Sequence, residues 1–489
     1  MNEAGDGRGP NGSYMGKTRP CVKALSDMTD GPSDREKNRF TARAARYASV
    51  GANVGGVAAR IAGRRLFGLD PARDKDAASL AAALGGLKGP IMKVAQLLAT
   101  IPEALPAEYV AELGQLQSQA PPMGWSFVRR RMAAELGPDW ETKFASFGHE
   151  AAASASLGQV HRATAHDGRQ LAVKLQYPDM QSAVEADLAQ LGVLFSIHRR
   201  MTPAIETSEM LKEITARLRE ELDYELEAKH TRLYSLIFQD DPLIRVPEIV
   251  PELSTRRLLS MTWLDGKRLL DYTDRPLEER NQIARAMFRA GGTRSANTAS
   301  FTAIPISAIT RCSRMKAVRP PGINLLDYGC MRTFAPKFIQ GVVDLYHGLL
   351  RGDRALIVHA YETWGFTGLS NELIDLLNIW AGFIYGPMLE DRVRTIAEDV
   401  RPGAYGRQEA FRVHQGLREK GPVTVPREFV FMDRAAIGLG GVFLHLDAKL
   451  NYHQLFEDAI AGSDMADVAR RQRDAFVKAG VPLPEGTVP

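Results

Sequence analysis

The chain has 489 residues, 45% of them hydrophobic and 25% charged, with a net charge of +4 and a pI near 8.8. That length predicts two or three packed units around a large core. No uninterrupted apolar run is long enough to span a bilayer, and the mild charge without basic clusters excludes nucleic acid as an expected partner.

Residues 1–35 are rich in Gly, Asp, Pro and Ser without periodicity and without the apolar core of a signal peptide. They read as a disordered N-terminus or as an over-extended start upstream of Met28. Cys21, Cys312 and Cys330 are widely spaced, which gives neither a disulfide framework nor a zinc site and fits a reducing compartment, with cytoplasm expected. From Arg39 to Phe67 basic residues alternate with small apolar ones. Such a segment can lie on an anionic membrane surface or serve as a solvated helix leading into the domain.

Leu80, Leu84, Leu87, Ile91 and Val94 recur at spacings of three and four, predicting a helix over 77–100. Lys93 and Gln96 share one face of it. A second helix follows over 109–116, and together these make a helical extension over 36–125.

A strand-rich unit is predicted over 126–262. It contains the small-residue loop Ala151–Ser156, the β-prone run to Ala163, a His166-Asp-Gly168 turn, and Arg169-Gln-Leu-Ala-Val-Lys-Leu-Gln176. Asp-Gly between two β-prone runs is a strong hairpin signal. A loop, a hairpin and Lys174 in Ala-Val-Lys on its second arm follow the order of a kinase nucleotide lobe. Helices are predicted over 184–197 and 210–229. Glu221, beside the apolar stripe of the second, suits the helix-borne carboxylate that pairs with a phosphate-binding Lys. Leu258 to Gly266 reads as strand and turn, with a hinge near Met261–Gly266.

A mainly helical unit is predicted over 263–400, and a further helical region over 401–489. Within the former, Gly322-Ile-Asn-Leu-Leu-Asp-Tyr-Gly-Cys330 carries an apolar run to a carboxylate, an aromatic residue and a glycine. A buried strand that ends in one Asp before a Gly turn can deliver a Mg²⁺ ligand to ATP phosphates. Taken alone, an Asp-x-Gly of this kind is more often an ordinary strand-to-turn motif.

The ordered set Lys93-Val-Ala-Gln96, the Ala-rich loop, Val173-Lys-Leu-Gln-Tyr-Pro178, Glu221-Leu-Asp-Tyr224 with Glu227-Ala228, and Leu326-Asp-Tyr-Gly329 resembles the UbiB/AarF/ADCK atypical kinase-like family over roughly residues 80–450. The resemblance implies an α+β fold: a bilobal protein-kinase-like fold with a helical N-terminal extension and a mainly helical C-lobe. It also implies ATP or ADP with Mg²⁺ as cofactors, a role in ubiquinone and isoprenoid-lipid metabolism, and isoprenoid lipid or ubiquinone-pathway proteins as partners. The implied location is cytoplasmic, with peripheral contact at the inner face of the membrane. By the same resemblance Lys174 contacts phosphates, Glu221 is its helix partner with Glu227 as the alternative, and Asp327 ligates Mg²⁺. Ala153, Ser154, Ala155 and Ser156 then replace a Gly-rich loop, Met261 and Leu264 line the nucleotide, and Lys93 and Gln96 fold over the site. Ala95 stands where the family carries Gly.

One expected part is missing. The family's catalytic loop, H-G-D-P-H-x-G-N, belongs between Ala290 and Asp327, but Ser300 to Thr310 contains no carboxylate. Ile304 and Ile309 occupy the places of its Asp and Asn. Joining the third base of each codon to the first two of the next allows the codons ending in Thr302 to Ile309 to spell H-G-D-P-H-L-G-N. A frame disruption opening near Ala290 and restored near Arg319 accounts for this, and it predicts irregular, poorly packed chain over 291–319 and little or no turnover as encoded. The alternative is a nucleotide-binding pseudokinase scaffold. An aminoglycoside-kinase-type enzyme is disfavoured by the Lys93/Gln96 motif and the Ala-rich loop.

Overall fold

The computed structural model describes residues 123–484 except most of 186–217, all of 294–310 and 314–321, most of 399–426, and a few positions elsewhere. The basic segment 39–67 and the helices expected over 77–100 and 109–116, and with them Lys93 and Gln96, lie outside the described residues.

Helix α1 (Trp125–Leu136) leads into three strands, β1 (Ser146–Ser154), β2 (Gly158–Thr164) and β3 (Gln170–Gln176). The expected hairpin is the β2–β3 pair, antiparallel with Val160 opposite Lys174. Its turn closes because Gly168 adopts φ +85°, where a Cβ would be strained, and because Asp167 accepts the Arg169 amide at 2.9 Å. Period-2 alternation then sorts β3 by face. Leu171, Val173 and Leu175 enter a core with Val128, Met132, Trp140 and Leu258, while Ala172 and Lys174 fall on the other side.

Helix α2 (Tyr224–Phe238) comes next, then β4 (Ile244–Arg245), β5 (Leu258–Thr262) and β6 (Lys267–Arg268). The antiparallel sheet runs β1-β2-β3-β5, with Leu259 opposite Lys174. Helix α3 (Leu277–Phe288) is followed by β7 (Arg311–Ser313) and β8 (Gly322–Asn324), and a second sheet runs β4-β8-β7-β6. Helices α4 (Pro336–Arg351), α5 (Arg354–Thr363), α6 (Asn371–Tyr385), α7 (Arg427–His445), α8 (Tyr452–Ile460) and α9 (Met465–Ala479) complete an α+β chain.

Three differences from expectation have physical causes. The helix expected over 210–229 is interrupted by a turn at Glu221–Leu222, because the Asp223 side chain accepts the Leu226 amide at 3.0 Å and caps a new helix there. The boundary expected at 400 does not separate two cores. Val442, Phe443, Leu446, Leu450 and Phe476 pack with Ile283, Met287, Ile323 and Tyr328, and Phe456 and Val468 join the core of α4 to α6. Finally, irregular chain over 291–319 is not found at Arg311–Ser313, which pairs with both β6 and β8. Ladder hydrogen bonds are made by backbone groups whatever the side chains, and this tripeptide contains neither Gly nor Pro.

Helix α2 bridges the two sheets. Tyr224 and Ala228 pack against Leu259 and Met261 beneath the first sheet, and Leu233, Tyr234, Ile237 and Phe238 pack with Ile323 and Tyr328 beside the second. No helix among the described residues is long and apolar enough to cross a membrane.

Candidate nucleotide site

Three elements converge on Lys174. Strand β3 turns its side chain away from the core, α2 raises Glu227 one turn from its cap, and the chain leaving β8 brings Asp327. Lys174 Nζ donates to both carboxylate oxygens of Glu227, at 2.6 and 2.8 Å, and stands 3.8 Å from Asp327 Oδ1. Exposure grades across the trio: 1% for the Glu227 side chain, 14% for Lys174 and 44% for Asp327. The carboxylate at the bottom is therefore sealed, and the one at the top meets solvent.

The Tyr224 ring lies 5.0 Å from the ammonium and adds a cation–π contact. Burial alone would lower the Lys174 pKa, but Glu227 and Asp327 outweigh it and hold the ammonium protonated above the ordinary lysine range. Burial pushes the Glu227 carboxyl up, and the two short contacts from a protonated ammonium keep it ionised.

The chain around Asp327 is fixed from both sides. The Gly329 amide donates to Asp327 Oδ1 at 3.2 Å, and buried His230 of α2 pairs through Nδ1 with the Tyr328 carbonyl at 3.2 Å. The buried Tyr328 hydroxyl donates to the Leu325 carbonyl.

The expected pairing therefore resolves to the alternative carboxylate. Glu227, not Glu221, meets Lys174, because the turn at 221–222 takes Glu221 out of the helix and packs its Cα and Cγ beside Gly329. The Ala-rich segment also differs from a loop through most of its length: Ala153 and Ser154 lie in β1, opposite Val160 and Gln159. Ala155 and Ser156 lie outside the described residues, as do Ile304 and Ile309. Met261 is buried on β5 against α2, and Leu264 lies half-buried in the β5–β6 connection. That connection is anchored by the Trp263 amide on the Gln170 carbonyl and by Asn324 Nδ2 on the Asp265 carbonyl.

Two residues that sequence spacing did not single out stand behind the site. Buried Arg131 of α1 donates to the carbonyls of Gln176 and Tyr177, and buried Gln176 donates to the Leu222 carbonyl at 2.6 Å. Arg131 does fall three residues after Val128 and next to Met132, on the apolar stripe of α1, which is the signal that it is buried.

As for metal, no group of three or more His, Cys, Asp or Glu able to hold an ion occurs among the described residues. A single solvent-reaching carboxylate fits Mg²⁺ delivered with a nucleotide, since that ion keeps waters and phosphate oxygens and takes only one or two carboxylates.

Comparison with known proteins identifies the family. Residues 115–361, half of the chain, match the ABC1 atypical kinase-like domain. The chain is 28% identical over 288 residues to atypical kinase COQ8, mitochondrial, of Saccharomyces cerevisiae, covering 58% of this chain and 57% of that protein. It is 30% identical over 268 residues to AarF domain-containing protein kinase 1 of Xenopus tropicalis, covering 54% and 51%. With atypical kinase coq-8, mitochondrial, of Caenorhabditis elegans it shares 25% over 413 residues, covering 81% and 53%. The chain thus spans about half the length of these curated relatives. Among solved structures, Rv3197 of Mycobacterium tuberculosis, in its complex with erythromycin, superposes with a TM-score of 0.52 at 24% identity, covering 80% of this chain and 97% of that one. That likeness speaks for the fold. On the match over half its length, the chain belongs to the ABC1 atypical kinase-like family, the UbiB/AarF/ADCK group.

Proposed function

We propose that the chain is an atypical kinase-like protein that binds ATP or ADP with Mg²⁺ in a cleft between two lobes. In its active form it is an ATPase or small-molecule kinase supporting ubiquinone and isoprenoid-lipid metabolism. The observation that carries the reading is the Lys174 ammonium, held on a sealed carboxylate with a second, solvent-reaching carboxylate 3.8 Å away. That arrangement offers one fixed positive charge to phosphate oxygens and one acidic ligand to their metal.

In this reading Lys174 contacts the α- and β-phosphates and Asp327 takes the Mg²⁺. Ala153 to Ser156 cover the phosphates, Met261 and Leu264 border the base, and the Lys93/Gln96 extension folds over the cleft. Isoprenoid lipid or ubiquinone-pathway proteins are the partners, met peripherally at the inner face of a membrane from the cytoplasm.

Phosphoryl transfer is positioning plus charge neutralisation. With Ile304 and Ile309 where an acid and an amide belong, the encoded chain has no group there to orient a nucleophile or hold a second cation. This favours a second reading for the chain as encoded, a nucleotide-binding scaffold without catalysis.

Titration calorimetry with Mg-ATP tests the site. Lys174→Ala should weaken binding by about 1.5–3 kcal/mol, the worth of a charge-assisted contact. Equal affinity in the two proteins would refute the assignment.

A further inference from the structure

The Lys174–Glu227 pair joins a strand to a helix, so its geometry depends on whatever fixes α2 against β3. One such restraint runs from the end of β3 to the start of α2 without touching the pair. Gln176, 4% exposed and two residues beyond Lys174, donates its side-chain amide to the Leu222 carbonyl at 2.6 Å, in the turn that launches α2. The Tyr224 amide donates to the Arg256 carbonyl beside it, and the Gln176 amide to the Arg257 carbonyl.

Gln176 is itself held from behind. Arg131, 5% exposed, donates Nε to the Gln176 carbonyl at 3.2 Å and a terminal nitrogen to the Tyr177 carbonyl at 3.3 Å. Its charge is balanced by Glu135 at 3.2 Å, which also accepts from Arg257 at 2.8 Å and from the Thr255 hydroxyl at 2.6 Å. A buried guanidinium fork on two successive carbonyls is a rigid fixture, and all three nitrogens of Arg131 donate.

We propose that Gln176, braced by Arg131, is a positioning residue that locks α2 onto β3 and so holds Glu227 on Lys174 whether or not a nucleotide is present. Loss of the lock frees the start of α2 to swing away, leaving Lys174 to its weaker contact with Asp327. The functional meaning of the lock rests on the nucleotide reading above; the lock itself is testable without a nucleotide.

The test is competitive acylation of the nucleotide-free chain with acetic anhydride between pH 7 and 9, with the labelling of Lys174 and of exposed Lys267 read by peptide mass. Only a neutral amine reacts, so the rate reports how firmly Lys174 is held as an ammonium. Gln176→Met, which keeps size and removes the donor, and Arg131→Lys, which keeps charge and removes the fork, should each speed Lys174 labelling about tenfold, with Lys267 unchanged. In a Glu227→Gln background neither should add a further increase, because the contact they protect is already gone.

Rates equal to the parent would overturn the lock. So would the same increase in the Glu227→Gln background, which marks a merely structural loosening. Should Gln176→Met not fold, Arg131→Lys decides alone. Mg-ATP titration of the unsubstituted chain, run alongside, separates the two ideas: absence of binding removes the nucleotide reading, while the labelling result still decides the lock.

Discussion

Strand β3 with helix α2, and the segment 291–319 before β8, would both serve a bound phosphate, yet they are built in opposite ways. On the first, Lys174 meets a bidentate carboxylate and an aromatic face, with a braced turn behind them. On the second, the only described strand, Arg311–Ser313, is held in place by backbone pairing, and in the proposed reading Ile304 and Ile309 stand where an acid and an amide belong. If that reading holds, holding a nucleotide and transferring its phosphoryl group are separable demands on this fold. A chain can keep the first while losing the second, because ladder hydrogen bonds preserve the scaffold without regard to the side chains that chemistry needs.

The largest expected effect lies on the intact side. Glu227→Ala leaves the Lys174 ammonium without its sealed partner, and breaking a buried ion pair from one end costs about 3–5 kcal/mol. The low end is expected because Asp327 remains 3.8 Å away. Urea unfolding with Glu227→Ala should show that loss, and a midpoint equal to the parent would erase the contrast between the two sides.

A smaller effect concerns pH and sharpens where the rigidity resides. Burial holds the His161 pKa below the ordinary 6.5, with the Gly148 carbonyl opposing and His149 adding to the depression. His161 Nδ1 bonds the Gly148 carbonyl at 2.7 Å, and Nε2 meets Gln159 Nε2 at 2.8 Å. The neutral ring satisfies both by donating from Nδ1 and accepting at Nε2. With the folded pKa depressed, the unfolded chain binds the proton more readily below pH 6.5. The stability from neutral His161 is then fully present above that value and lost as pH falls toward the folded pKa. Unfolding midpoints at pH 7.5 and 5.5 should differ more for the parent than for His161→Gln, and an equal pH dependence would assign the acid sensitivity elsewhere.

Much of the first sheet was legible because its signals are local. Asp167-Gly168 marks the turn, alternation from Leu171 to Leu175 sets the faces, and Lys174 follows from the register. Asp327 was legible for the same reason, as the carboxylate that ends an apolar run. Between Glu221 and its alternative Glu227 the sequence did not decide, since both sit in one charged stretch. The deciding signal was Asp223, a capping residue three positions before Leu226 that restarts the helix and gives Glu227 its inward face. The sharing of one core by Ile283, Ile323 and Phe443 depends on contacts distant in sequence, and no period or turn announces it. Gln176 reads from its sequence as one more polar strand residue, and its role emerges only when Leu222 is placed beside it.

The most direct test of the separation between holding and transferring compares Mg-dependent ATP hydrolysis by the chain as encoded with a version carrying H-G-D-P-H-L-G-N at 302–309. Both should bind Mg-ATP, and the repaired chain should turn over at least about 10²-fold faster, the contribution of a positioned acid–base group. Equal hydrolysis by the two proteins would contradict the account.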